Sequence, residues 1–577
     1  MGSAACVVAH GAAYGRSKPV KRGPSSHGGI CRDSSRLITP ENSSALDKEA
    51  SASWGLDPFA LVEAAGRACA FAMEKELPDA ISAGPLLVCA GSGNNGADAM
   101  VMLRVILMKN SKLRNATVLL SRFPAPGENN PRSEAIKALR MMGVPVIAWN
   151  GIENTLDLFR NAALIIDGIA GTGISGALEG IPLEMVTAIN EKRNTVRGGG
   201  STACREGAPL PVLVVSIDVP SGGGSGWKPA FPVIHADYTL AVEPLKTVLY
   251  TPALRPCCGK IIPVRGIFPQ QLLARYGDAE LLRWEDRRAA ILPVPPDAYK
   301  YRRGVVEIHA GSTGSAGAAR IAAAGASSAG AGLVRLVVDD SLYPILAPSL
   351  GGSMAVPAST WSGESAVGKK SSGTDRGRFK PDAFLLGPGW GRGTERRDVL
   401  RQALEAEKSG IPLVLDADGI ALLKDLFPEN HFPVFHGRAI LTPHAGELEE
   451  LSGIPKERLL SEPGLIAELA EKMNAVILFK SHVMILAGPD GRLGFIDGMD
   501  PSLGAGGSGD LLAGLCAGIA GRTRAADSFD PYAAAAAAGT LLVAASRRIK
   551  RRFYDPLELA QPAAALAGRA WLPHARS

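Results

Sequence analysis

The sequence predicts an α/β protein of two domains, the first a doubly wound parallel sheet. Three observations carry this expectation. The chain has 577 residues, which at roughly 100 to 200 residues per domain allows two to four domains. Short apolar runs alternate with helix-patterned stretches through both halves, the rhythm of a parallel sheet with crossover helices. Glycine, at 67 residues, exceeds its usual share of about 7%, and many of these glycines gather where apolar runs end.

Residues 1–35 are rich in Gly, Ser, Lys and Arg without a hydrophobic period and read as a disordered leader. Residues 41–75 read as largely helical, with Leu56, Ala60, Leu61, Ala64, Ala68 and Phe71 at near-helical spacing. Strand-like runs follow at 85–90, 116–120, 144–149, 162–166 and 212–217, with helical stretches at 99–108 and 132–142. A charged, helix-like segment at 275–296 closes on Leu292-Pro-Val-Pro-Pro296 and marks a boundary, giving domains at 36–280 and 290–572. The second half again alternates, with strands at 304–310, 333–338, 383–386, 412–415, 439–441 and 475–479. Gly/Ser/charge-rich stretches at 197–207 and 362–378 read as surface insertions.

Composition narrows the function classes. Hydrophobic residues at 46% and charged residues at 20% are a globular balance. A net charge of +6 over this length is no basic stripe, so nucleic acid is not an expected partner. The longest apolar run, 533–545, is shorter than the approximately 20 residues a membrane span needs, and reads as a buried helix ending at Arg547-Arg548. No membrane partner is expected. The N-terminus lacks the pattern of a secretory signal, and the eight cysteines contain no CxxC pair, which suits a reducing cytoplasm.

In the first half, the segment from Pro85 to Leu103 is strand, glycine turn and helix, with Gly91-Ser-Gly93-Asn94-Asn95-Gly96 matching GxGxxG. A dinucleotide dehydrogenase would want an acid ending the next strand, where Ser121 and Arg122 stand instead. Two further strands end alike, in Asp167 followed by Gly168 to Gly176, and in Asp218 followed by Pro220-Ser221-Gly222. A parallel sheet brings such ends to one edge, so Asp98, Asp167 and Asp218 are expected to converge, although any one alone could be a helix cap.

With Thr39-Pro-Glu41 and Val62-Glu-Ala-Ala-Gly-Arg67, these segments resemble the epimerase domain of the bifunctional NAD(P)H-hydrate repair enzymes, a Rossmann-like fold. The resemblance implies hydrate contacts from Asn94, Asn95, Gly96, Ala97 and Asp98. It adds the loop Gly171, Thr172, Gly173, Ile174, Ser175, Gly176 and Ala177, and Asp218. It also implies a potassium ion held by Asn95, Asp167 and Ser221, with Asp167 as acid/base. Ala97 and Ala99 stand where that family usually has glycine.

In the second half, glycine loops follow strands at 311–319 and 387–392, Asp416-Ala-Asp418 and Thr442-Pro-His-Ala-Gly-Glu447 end two more, and Gly504-Ala-Gly-Gly-Ser-Gly-Asp510 opens an apolar helix. Bare backbone N–H groups at such a helix start suit phosphate, and Asp510 stands where a proton acceptor beside a phosphoryl group is needed. This set resembles the ribokinase-like superfamily and, within it, the ADP-dependent NAD(P)H-hydrate dehydratases. The resemblance implies hydrate contacts from Ala318, Gly391, His444, Ala445, Gly446, Glu447 and Asp510, with Asp510 catalytic. For the adenine nucleotide it implies Lys480, Ser481, His482, Val483 and Met484, and Gly506, Gly507, Ser508 and Gly509. ADP and Mg2+ are the implied partners of this domain. The Lys480-Ser481-His482 stretch departs from the family's usual Lys-Gly, and Gly504-Ala505 replaces Ala-Thr.

The reading is a repair enzyme for hydrated NADH and NADPH. The first domain interconverts the R and S hydrates, and the second dehydrates the S form at the expense of ADP, giving AMP and phosphate. A ribokinase-like small-molecule kinase fused to a nucleotide-binding regulatory domain is the alternative, and a first domain that only binds a nucleotide or a partner is a third. A cytoplasmic homo-oligomer acting on small molecules is expected.

Overall fold

The structure, a computed structural model, describes residues 36–110, 115–197, 212–361, 380–427, 432–549 and 553–570. The expected leader at 1–35 and the insertion at 362–378 lie outside the described residues, as does that at 197–207 apart from Arg197, which ends a helix.

The first sheet has seven strands, all parallel, at Leu86–Ala90, Ala116–Leu120, Val146–Ala148, Leu164–Gly168, Leu213–Ile217, Tyr238–Val242 and Lys260–Val264. Numbered along the chain, their spatial order is 3-2-1-4-5-6-7, so the winding reverses between Leu86–Ala90 and Leu164–Gly168. Ligands of open α/β sheets bind at such a reversal. The strands read as continuous apolar runs because both faces are covered. Leu86, Val88 and Ala90 enter one core with Val62, Cys69, Met73 and Met100, while Leu87 and Cys89 enter the other with Phe159, Met185 and Ile189.

The second sheet has twelve strands. Its parallel part runs Met354–Pro357, Leu333–Val338, Val305–His309, Ala383–Leu386, Leu413–Leu415, Ala439–Leu441 and Val476–Phe479, again reversing beside its first strand. An antiparallel pair, Val483–Ala487 and Leu493–Asp497, extends it. Three short strands from elsewhere in the chain complete it: Ala279–Leu281, Arg36–Ile38 and Leu245–Lys246. One core accordingly holds Leu37, Leu245, Leu254 and Leu281 together with Phe479, Val483 and Phe495. Arg255 grips the Asp497 carboxylate with two hydrogen bonds of 3.1 and 3.0 Å across the same seam.

Two expectations change. The helix expected over 41–75 is two helices, Pro40–Trp54 and Pro58–Glu76, broken at Gly55 in the left-handed region (φ 67°) and restarted by the Asp57 cap ahead of Pro58. The stripe buried on the second is Val62, Ala65, Gly66, Cys69, Ala70 and Met73, leaving Phe71 exposed under Lys109. The charged segment at 275–296 is strand Ala279–Leu281 followed by the short helix Trp284–Arg287, because pairing to Arg36–Ile38 and Leu493–Asp497 outweighs its helix-like charge pattern. The apolar run at 533–545 lies in the buried helix Pro531–Ser546.

Helix Ser508–Ala525 carries Asp510 and crosses helix Ala316–Ser328 on small residues. A Cβ on Gly514 would lie 2.1 Å from the Ala322 carbonyl oxygen, and one on Gly325 would lie 2.5 Å from that of Leu511. Backbone meets backbone there, and no side chain can yield. Gly514→Ala is therefore expected to cost about 1–3 kcal/mol by overpacking, read as a lowered urea midpoint with unchanged slope, and to lower the second site's activity more than the first's.

Candidate active sites

The first site lies at the reversal of the first sheet. Asp167 ends strand Leu164–Gly168 and is fully buried. A buried carboxylate needs compensation, and Asp167 has four donors: Ser216 Oγ at 2.7 Å, Ser221 Oγ at 2.5 Å, Ser221 N at 2.9 Å and Ile169 N at 3.2 Å. Burial nevertheless raises its pKa against these bonds.

Helix Asn94–Lys109 starts at the end of strand Leu86–Ala90 and carries Asn94, Asn95, Gly96, Ala97 and Asp98 in its first turns. Asn94 is exposed and the other four are buried. The Asn95 amide, both atoms, and Asp98 Oδ1 have no hydrogen-bond partner, so polar groups wait here for a ligand. The two alanines fit the fold: Ala97 and Ala99 are buried, and the Ala99 methyl lies 2.7 Å from where a Gly168 Cβ would stand.

A Cβ on Gly171 would sit 3.5 Å from the Asn95 side chain and 3.7 Å from Asp218 Oδ2, so this glycine separates two of the expected contacts. The remaining loop residues, Thr172, Gly173, Ile174, Ser175, Gly176 and Ala177, are exposed or half-buried. They pack on the loop after Asp218 through a Ser175–Ser225 bridge, and Ser225 Oγ reaches Glu41. Asp218 has φ 65°, a conformation that costs a non-glycine residue on the order of 1 kcal/mol or more. Sequence reasoning missed its partner Lys246, whose Nζ donates to Asp218 Oδ1 at 2.6 Å.

The second site lies around Asp510, in the first turn of helix Ser508–Ala525. Gly507 precedes the helix at φ 102°, and the Ser508 N–H donates to the Ala505 carbonyl oxygen at 3.3 Å, which leaves that of Gly509 at the helix mouth. Lys480 directly follows strand Val476–Phe479 and lies between two carboxylates. Its Nζ contacts Asp416 Oδ1, lies 3.8 Å from Glu447 Oε2 and stands 3.3 Å from where a Gly509 Cβ would be. Burial opposes its charge, but Asp416 and Glu447 prevail and raise its pKa. Burial likewise raises the Asp510 carboxyl to about 6, with Asp416 adding to the shift and Lys480 opposing it. Asp416, quoted for its place at a strand end but given no role by the sequence, is buried and also accepts from Thr442 Oγ1 at 2.9 Å.

His444 caps helix Ala445–Ser452: its Nδ1 accepts from Glu447 N at 3.1 Å, and Glu447 Oε2 accepts from His444 N at 2.8 Å. Gly446 packs against the His444 ring, 3.2 Å from where its Cβ would stand. Gly391 N donates to Asp418 Oδ2 at 2.8 Å, and Ala318 lies under Gly389 of the same loop. Ser481 is half-buried, and His482 Nε2 lies 2.8 Å from the Pro252 carbonyl oxygen, tying this hairpin tip to the first half. Val483 and Met484 are buried on opposite faces of their strand, Val483 in the core with Phe479 and Phe495 and Met484 in the core with Ile496 and Leu512, so the strand meets the expected nucleotide position with its backbone and not with these side chains. Gly506 is exposed beside the helix start.

Asp98 offers a stability test. Burial raises its pKa well above 3.8, and Asp218 and Asp47 add to this while Lys246 opposes it. The native state thus holds this proton more tightly than the unfolded chain. Its stabilisation is complete below 3.8 and is lost as pH rises through the raised native value. Asp98→Asn removes that loss, so its urea midpoint is expected to gain on the wild type between pH 4 and pH 8. A constant difference across this range would contradict the assignment.

Known proteins carry the same two parts. A family model described as NAD(P)H-hydrate dehydratase matches residues 306–564, and one described as YjeF-related protein N-terminus matches residues 58–248. A bifunctional NAD(P)H-hydrate repair enzyme of Moorella thermoacetica is 28% identical over 501 residues, covering 84% of this chain and 88% of that protein. One of Salinibacter ruber is 29% identical over 520 residues, covering 84% and 87%. The crystal structure of an ADP/ATP-dependent NAD(P)H-hydrate dehydratase from Bacillus subtilis aligns at 24% identity and a TM-score of 0.41, over 50% of this chain and 99% of that one. With both domain models matched in this order and relatives aligned across the pair, the chain carries the same two parts as the bifunctional NAD(P)H-hydrate repair enzymes and is similar to them over 84% of its length.

Proposed function

We propose that the chain repairs hydrated NADH and NADPH, the part at 36–280 epimerising the R and S hydrates and the part at 290–572 dehydrating the S form with ADP. The observation that carries the reading is the pairing of two separate carboxylate-lined sites, each at the strand ends of its own sheet.

In the first site the hydrate's ring nitrogen expels hydroxide from C6, and water returns to the other face. Asp167 is assigned the proton given to the departing hydroxide and taken back from the returning water, and its raised pKa suits a group that both holds and releases one. Asn94 to Asp98, Gly171 to Ala177 and Asp218 are the substrate contacts. A potassium ion fits Asn95, Asp167 and Ser221, an all-oxygen donor set in which Asn95 Oδ1 is buried without a partner. When bound, it supplies positive charge that orients the substrate's oxygen.

In the second site Asp510 takes the proton of the C6 hydroxyl. The hydroxyl oxygen bonds to the β-phosphorus of ADP, and AMP leaves. The C6–O bond of the phosphate ester then breaks with help from the ring nitrogen, and a proton lost from C5 restores the reduced nicotinamide. The N–H groups at Gly506 to Gly509 would carry the transferring phosphate's charge, with Lys480 to Met484 along the nucleotide. Glu447 would meet Mg2+, whose remaining ligands would be phosphate and water, and the ion would supply positive charge to the phosphates there. Ala318, Gly391 and His444 to Glu447 would hold the hydrate.

A cytoplasmic setting and a homo-oligomer belong to the same reading. Cys69, Cys89, Cys257, Cys258 and Cys516 are free, which suits a reducing compartment. Among the described residues no helix is long and apolar enough to cross a membrane.

Separation of the two activities tests the proposal. Asp510→Asn is expected to abolish dehydration and spare epimerisation, and Asp167→Asn to do the reverse, each by at least about 100-fold. Asp510 acts as a base only when ionised, so dehydration should fall on acidification through about pH 6. Loss of both activities in either variant with an unchanged melting temperature would contradict two independent sites.

A further inference from the structure

We propose that Lys246 is a positioning residue of the first site: it pins one oxygen of Asp218 so that the other faces the substrate, and the second sheet holds it in place. This rests on reading Asp218 as a substrate contact in epimerisation. The substrate chemistry it serves is a hydrogen-bond donor on the hydrated nicotinamide nucleotide, a hydroxyl or a carboxamide N–H.

The geometry divides the two Asp218 oxygens. Oδ1 accepts from Lys246 Nζ at 2.6 Å, and the same Nζ donates to the Val242 carbonyl at 2.9 Å. Oδ2 is the oxygen near Gly171, 3.7 Å from where its Cβ would lie, on the side of Asn95. The left-handed backbone of Asp218 turns its side chain out of the strand's regular alternation, so a second tether is needed to fix it. Lys246 is itself almost completely buried, its side chain 4% exposed against 13% for Asp218, and a charge-assisted bond in such surroundings is directional and strong.

The anchor of Lys246 comes from outside the first sheet. Leu245 and Lys246 pair with Leu37 and Ile38, that strand pairs with Ala279–Leu281, and the latter pairs with Leu493–Asp497 of the second sheet. The Lys246 charge also lowers the pKa of Asp47 on helix Pro40–Trp54, Cys69 on Pro58–Glu76 and Asp98 on Asn94–Lys109 against the larger effect of burial. Removing it would leave Asp218 among acidic neighbours with neither its tether nor its counterion.

The test uses the full chain with separately prepared R and S hydrates of NADPH. Lys246→Met is expected to raise KM for epimerisation of the R hydrate about 10-fold, the loss of one hydrogen bond to a charged group, with kcat within about twofold. Dehydration of the S hydrate should be unchanged. In an Asp218→Asn background the same substitution should add less than about twofold, because Lys246 acts through Asp218. An unchanged KM, an equal factor in both backgrounds, or a loss confined to kcat would overturn the proposal. Should Lys246→Met lose dehydration as well, Lys246→Gln, which keeps a donor for Val242, repeats the cycle under the same criteria. Failure of the unaltered chain to convert the R hydrate would instead overturn the epimerase reading itself, and this proposal with it.

Discussion

Both halves of the molecule are organised around a carboxylate buried at the carboxyl end of a parallel strand. Asp167 and Asp416 are almost completely shielded from water, and an ionised group in that position is tolerated only where donors converge on it. Each half answers with different chemistry. Asp167 is surrounded by serine hydroxyls and backbone N–H groups, from Ser216 in the neighbouring strand, Ser221 in the loop after that strand and Ile169 just beyond its own. Asp416 takes a threonine hydroxyl and the Lys480 ammonium. Satisfying the carboxylate therefore fixes the loops around it, and those loops are the walls of the two sites.

The halves share more than a linker. Short strands at Arg36–Ile38, Leu245–Lys246 and Ala279–Leu281 continue the second sheet, and their side chains enter its core. The Arg255–Asp497 pair and the His482–Pro252 contact close the same seam. Within the first site Asp218 leans on a lysine belonging to that seam, and within the second the turn after Lys480 touches a carbonyl of the first half.

Much of this was legible in the sequence. Long strands with both faces covered announce themselves as apolar runs, and glycine loops beside Asp167, Asp218 and Asp510 mark where chemistry gathers. What was not legible has physical causes. Strands of two or three residues have no periodicity to read, so segment 275–296 looked helical from its charges until strand pairing decided otherwise. The helix through 41–75 showed its period but not its break or its buried stripe, because Gly66 faces inward only on account of Val101, 35 residues away, 2.5 Å from where its Cβ would stand. Lys246 and Asp416 were missed as partners because nothing in local spacing relates them to Asp218 and Lys480, 28 and 64 residues distant.

The most direct measurement gives the unaltered chain an equal mixture of R and S hydrates of NADPH with excess ADP, following reduced nicotinamide absorbance together with AMP and phosphate. Two coupled sites predict recovery of the whole mixture, faster than spontaneous epimerisation allows, with one AMP and one phosphate formed per NADPH. Recovery that halts at the S fraction, or nucleotide consumption that leaves a stable phosphorylated product, would contradict it.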